Sequence, residues 1–123
     1  MNRLFKKISI ALVALFAVAG LAACAPAEPI DMAKVTAVID VRSASEYAAG
    51  HLKGAVNMDV ESATFSEQIS TLDKNGVYVL YCHSGRRASV AKDSMTAAGF
   101  TNVTNAGGYQ DASEKTNLPI VTN

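Results

Sequence analysis

Tryptophan is absent from this chain of 123 residues, proline occurs three times and cysteine twice. Two cysteines cannot supply the disulfide framework of a small secreted scaffold. So few prolines, with eight glycines, exclude a collagen-like or linker-dominated chain. An excess of one charge is missing too: 11 basic side chains balance 11 acidic ones, which leaves nothing to hold a nucleic-acid backbone. What is present is 50% hydrophobic residues, enough to offset chain entropy in one globular domain, in a chain too short for several.

The charge balance is uneven along the chain. Arg3, Lys6 and Lys7 stand at the start without an acid, and Ile8 to Ala23 follow as a run of apolar and small residues whose one hydroxyl is Ser9. That run is shorter than the roughly 20 residues a membrane-spanning helix requires, and it reads as a secretory signal over residues 1–23. Its end, Leu21-Ala22-Ala23-Cys24, resembles a bacterial lipobox. The resemblance implies cleavage before Cys24 and acylation of that cysteine. Ala25 follows where inner-membrane lipoproteins commonly carry Asp, so the expected location is the periplasmic side of the envelope, anchored to the outer membrane. Beyond residue 23 the chain holds eight basic and 11 acidic groups, a net charge of −3.

Residues 24–33 are small, proline-bearing and unpatterned, and are expected to be a tether to a folded domain at 34–123. Val35 to Val41 suits a buried strand. Ser43-Ala44-Ser45-Glu46 fits a capping box, opening a helix that Gly50 stops. A turn at His51 to Gly54 leads to a short strand at 55–57. Phe65, Ile69 and Leu72 mark a second helix by their spacing. Val77 to Tyr81 is an uninterrupted run of β-formers, Ala88 to Ala98 reads as a third helix closed by Gly99, and Val103 begins a further short strand before Gly107-Gly108. Strands alternating with helices predict an α/β fold: a central parallel sheet flanked by helices on both faces, with ligands at the carboxyl ends of its strands.

Cys82-His83-Ser84-Gly85-Arg86-Arg87 connects the strongest strand to the third helix. Backbone amides converging at a helix amino terminus form a cradle for an anion. A cysteine at its base would be held as the thiolate by those amides and by the two guanidinium groups, although a free thiol is only about 3% ionised at pH 7. The expectation is a nucleophile, Cys82, facing a small anionic substrate bound by the loop residues His83, Ser84, Gly85, Arg86 and Arg87. If Cys24 is lipidated, Cys82 has no disulfide partner. Two histidines and one free cysteine do not furnish a four-ligand zinc site, so neither a metal nor an organic cofactor is expected.

Asp40-Val41-Arg42, Glu46-Tyr47, Gly50-His51-Leu52, Gly54-Ala55, Asn57, Tyr81 to Arg87 and Gly107-Gly108 together resemble a single-domain rhodanese, most of all the small exported rhodaneses of bacteria. The resemblance spans nearly all of residues 35–112. It implies an α/β fold, a persulfide on Cys82, and transfer of a sulfane sulfur from thiosulfate or another small donor to cyanide or a thiol, including a protein thiol. The pattern departs from the family at Ala112, where many members carry Trp.

Asp40, Arg42 and Glu46 are expected to form an ion-pair network supporting the first strand-helix turn. His51 is read as structural, and His83 as a specificity or filler residue in preference to a general base. Two other functions compete with the sulfurtransferase. A phosphatase of the related fold uses a cysteine, five residues, then arginine, and here that position is Ala88. A membrane-anchored carrier or interaction module would lack efficient turnover with small molecules. No oligomerisation signal is present, so a monomer is expected.

Overall fold

The structure, a computed structural model, describes residues 28–122. The signal segment, Cys24 and the first residues of the tether lie outside the described residues. The chain joins the fold before residue 34. Ile30 donates its amide to the Lys115 carbonyl at 2.8 Å, and Ile30, Met32 and Val35 pack on the core. A single 3-10 turn at Met32–Lys34 is held by the Asp31 carboxylate, which accepts the Ala33 N–H.

The central sheet has four parallel strands: β1 (Ala37–Asp40), β3 (Val56–Asn57), β4 (Tyr78–Cys82) and β5 (Val103–Gly108), in the order β3-β1-β4-β5. β2 (His51–Leu52) stands apart and pairs antiparallel with β6 (Ile120–Val121). Helices α1 (Ala44–Ala49), α2 (Phe65–Ser70), α3 (Arg86–Ala97) and α4 (Tyr109–Thr116) complete the fold.

Strand periodicity sorts the core into two halves. Ile39, Tyr78, Leu80 and Cys82 face α2 and α3, meeting Phe65, Ile69, Ala88, Ala91 and Met95. Val38, Val79 and Tyr81 face the other way, toward Leu52, Ala106 and Ala112. A strand covered on both faces must be apolar at consecutive positions, which is why Val77 to Tyr81 reads without alternation. Burial of Leu80 is complete, and truncating it to alanine would cost about 2–5 kcal/mol, a large fraction of a typical domain's stability.

The capping box forms as expected. Ser43 Oγ accepts the Glu46 amide at 3.3 Å and Glu46 Oε1 accepts the Ser43 amide at 3.4 Å. Four features differ from expectation. The first strand is shorter, His51 and Leu52 of the expected turn form β2, α3 begins at Arg86 and not at Ala88, and α4 and β6 follow the glycine pair, which itself belongs to β5. Ala112 is fully buried on α4.

Candidate active site

Cys82 ends β4, its side chain on the α3 face and 1% of its surface exposed. It is the free cysteine among the described residues. The β4–β5 pairing slips between Leu80 and Cys82, placing Cys82 opposite Gly108. Such an irregularity re-aims the chain at a strand end. Gly85 returns its amide to the sulfur, donating to Cys82 Sγ at 2.9 Å. This requires a left-handed backbone, φ +93°, which glycine adopts without strain.

With Gly85 in that conformation, α3 starts at once. Arg86 and Arg87 are its first two residues, so the expected six-residue loop is a tighter turn followed by a helix. The first helical hydrogen bond runs from Ser89 N to the Gly85 carbonyl at 3.0 Å, and the amides of Arg86, Arg87 and Ala88 precede it at the positive end of the helix. His83 and Ser84 are exposed.

β5 fastens this turn from below. Asn105 Nδ2 donates to the Gly85 carbonyl at 2.9 Å, and Asn105 Oδ1 accepts the Gly107 amide at 2.8 Å. A side chain on Gly108 would collide with the His83 carbonyl oxygen, and one on Gly85 would stand 3.2 Å from Gly107 Cα. The glycine pair therefore lets two backbones touch.

The expected network of Asp40, Arg42 and Glu46 divides in two. Asp40 and Arg42 form one buried pair: Arg42 Nε donates to both carboxylate oxygens at 3.0 and 3.1 Å, and Nη2 donates to Oδ2 at 2.7 Å. Nη2 also donates to the Gly50 carbonyl, closing the end of α1 onto this pair. Burial opposes the Arg42 charge, yet the bonds to Asp40 and its charge outweigh burial and raise the Arg42 pKa.

Glu46 turns instead to α3. Its two oxygens accept from Arg87 Nη1 and Nη2 at 2.7 and 2.9 Å, a bidentate pair. Arg87 holds the Glu46 carboxyl at about pKa 2, against the upward pull of burial, and the Arg87 pKa is raised in return. Of the two arginines, Arg87 is thus committed to Glu46. Arg86 is exposed and makes no ion pair among the described residues.

His51 is packed and not reactive in aspect: its ring stacks on Tyr47 at 3.7 Å and Nδ1 meets the Tyr47 carbonyl at 2.8 Å. Two site neighbours escaped the sequence reading. Asn105 stood as one polar residue in a short strand, and Tyr109 as one aromatic after the glycines. Tyr109 lies 5.7 Å from the His83 ring and 5.0 Å from the Arg42 guanidinium.

Residues 27–115 match the Rhodanese-like domain. The chain belongs to the rhodanese family. It is 39% identical over 75 residues to the thiosulfate sulfurtransferase PspE of Escherichia coli, covering 59% of this chain and 70% of that protein. It is 34% identical over 98 residues to a tRNA uridine(34) hydroxylase of Buchnera aphidicola, covering 72% of this chain but only 30% of that protein. Among solved structures, a rhodanese with anions from E. coli superposes with a TM-score of 0.60 at 32% identity, covering 71% of this chain and 98% of that one. The rhodanese fold expected from the sequence is thereby established, and the family supports sulfur-transfer chemistry in general. A rhodanese domain also occurs within proteins named for other reactions.

Proposed function

We propose that this rhodanese domain is a thiosulfate sulfurtransferase working through a Cys82 persulfide. The observation that carries the reading is the Gly85 amide on Cys82 Sγ at the mouth of α3. The Gly85 N–H fixes Sγ at the amino end of α3, and the thiolate is the form of a cysteine that attacks.

Cys82 thiolate attacks the sulfane sulfur of thiosulfate. The sulfur–sulfur bond of the donor breaks, sulfite leaves with the electron pair, and the sulfane sulfur stays on Cys82. The amides of Arg86, Arg87 and Ala88, with the exposed Arg86 guanidinium, face the developing charge on the sulfonate. Cyanide or a thiolate then attacks the outer sulfur, and Cys82 departs as thiolate. The 1% exposure of Cys82 favours small reactants over a bulky partner reaching the sulfur directly. Arginine commitment also speaks against a phosphatase: Arg87 is held by Glu46, and the following Ala88 is fully buried.

Two half-reactions through one covalent intermediate give ping-pong kinetics. Parallel double-reciprocal lines with thiosulfate and cyanide are the expected result, and intersecting lines would contradict the scheme.

The leader completes the proposal. Residues 1–23 direct export, and acylated Cys24 anchors the domain at the periplasmic side of the outer membrane. Wild-type chain expressed in bacteria should partition into the detergent phase, and Cys24→Ala should not; equal partitioning would refute lipidation.

A further inference from the structure

Ile30 marks the point at which the chain enters the domain. Its amide donates to the Lys115 carbonyl at 2.8 Å, and its side chain packs on the core with Met32 and Val35. Lys115 lies near the far end of α4. That helix starts beside the Cys82 turn, where the Tyr109 ring meets that of His83, and its eight residues advance it about 12 Å toward the other end of the sheet. The strands begin at that other end. There the Thr36 amide meets the Val77 carbonyl at 2.7 Å, one residue before β1 and β4, and the Tyr78 amide meets the Asn102 carbonyl at 3.0 Å, one residue before β5. Cys82 is the last residue of β4. Point of entry and nucleophile thus lie at opposite ends of one parallel sheet.

The chain between the anchor and that point is short. Cys24 precedes Ile30 by six residues. Fully extended, such a length spans at most about 20 Å. A domain of this size is about 30 Å across. Laying the Cys82 end on a bilayer that holds Cys24 would lift Ile30 by nearly the width of the domain, farther than the tether reaches. Peeling residues 30–35 from the core would lengthen the tether, and the apolar contacts of Ile30, Met32 and Val35 oppose it.

We infer that the lipid anchor holds the domain by the end opposite its catalytic turn, so that Cys82 faces away from the bilayer and hands its sulfur to thiols dissolved in the aqueous compartment, not to thiols carried on the membrane surface. The inference rests on the sulfurtransferase reading and on acylation of Cys24. In the step concerned, the thiolate of the acceptor attacks the outer sulfur of the Cys82 persulfide. A new sulfur–sulfur bond forms, the bond to Cys82 breaks, and Cys82 keeps the electron pair as thiolate. The acceptor leaves as a persulfide, its thiol proton having gone to solvent.

The test uses acylated full-length protein inserted into preformed vesicles of phosphatidylethanolamine and phosphatidylglycerol, with or without a lipid whose headgroup carries a thiol. The protein is loaded with thiosulfate, freed of donor, and discharged by the lipid thiol or by soluble 2-mercaptoethanol. A second protein carries about 12 extra Gly and Ser residues between Ala27 and Glu28, which raises the reach of the tether to about 60 Å. The ratio of lipid-thiol rate to soluble-thiol rate should rise about tenfold in the long-tether protein, because only there is the domain free to turn over. Position is read separately. A fluorophore on Asn102→Cys, where the strands begin, should transfer energy to a headgroup dye more efficiently than one on Ser89→Cys, in the first turn of α3, both in a Cys82→Ser background. A ratio that the longer tether does not change, or equal transfer from the two positions, overturns the orientation and leaves acylation and sulfur transfer standing. Protein that does not float with the vesicles overturns the acylation reading, protein that takes up no sulfur overturns the sulfurtransferase reading, and the inference falls with either.

Discussion

Arg87 and Glu46 lie 41 positions apart in the chain, and two hydrogen bonds of 2.7 and 2.9 Å join them across the mouth of the sheet. Through this pair the first strand-helix turn grips the helix that follows Cys82. Glu46 serves twice, since the same carboxylate closes the capping box of α1. The pair thus fixes α1 and the start of α3 relative to each other.

Its pH dependence has a definite sign. Glu46 has a folded pKa of about 2 against an ordinary value of 4.5, so the stability it contributes is complete above about pH 4.5 and disappears as pH falls through 2. Both partners are partly exposed, which limits the pair to about 1 kcal/mol or less at pH 7. Urea unfolding of wild type and Glu46→Gln should differ by that amount at neutral pH and converge toward pH 2. A difference that stays constant over the range would contradict this assignment.

Gly54 and Gly85 provide a matched comparison. Both have positive φ, +84° and +93°, but a Cβ on Gly54 meets nothing within 4 Å, while one on Gly85 meets the Gly107 backbone. Alanine at either position should cost about 1–2 kcal/mol of backbone strain. Sulfur transfer should fall in Gly85→Ala alone, because only there does the amide on Cys82 Sγ move. Equal activity in both variants would mean that this amide is dispensable.

Asn105→Ala removes both bonds that tie the Cys82 turn to β5. Two partly buried backbone groups lose their partners, so a stability loss of about 1–3 kcal/mol is expected, together with slower persulfide formation from thiosulfate. Unchanged loading kinetics in a folded variant would show that the turn holds its shape without Asn105.

Gly108→Ala is the harsher test of the close approach. Its new methyl group would drive into the His83 carbonyl, and backbone must shift to admit it. Overpacking of this kind costs about 1–3 kcal/mol, read as a lower melting temperature. A variant as stable as wild type would show that β5 and the turn are less tightly joined than their spacing indicates.

Much of this arrangement could be read from the chain, and the parts that could not share a cause. Val77 to Tyr81 declared itself because both its faces are covered, and the Ser43–Glu46 cap because its two bonds span only three residues. Cys82 was legible from the glycine and arginines beside it. α4 was not, since its eight residues bury only Ala112 and Thr116 and leave little apolar periodicity to detect. β6 has two residues, too few for any period, and owes its place to Leu52 and His51 across the ladder. The pairing of Asp40 with Arg42 was expected, but that of Glu46 with Arg87 was likewise hidden. Which carboxylate meets which guanidinium depends on where α3 begins, and that turned on the left-handed backbone of Gly85.

Whether Cys82 carries a sulfur atom is read from the intact mass of the purified protein after thiosulfate, and again after cyanide. A gain of one sulfur on Cys82, its loss to cyanide as thiocyanate, and no gain in Cys82→Ser are the expected results. An unchanged mass after thiosulfate, or an equal gain in the serine variant, would contradict a persulfide on Cys82.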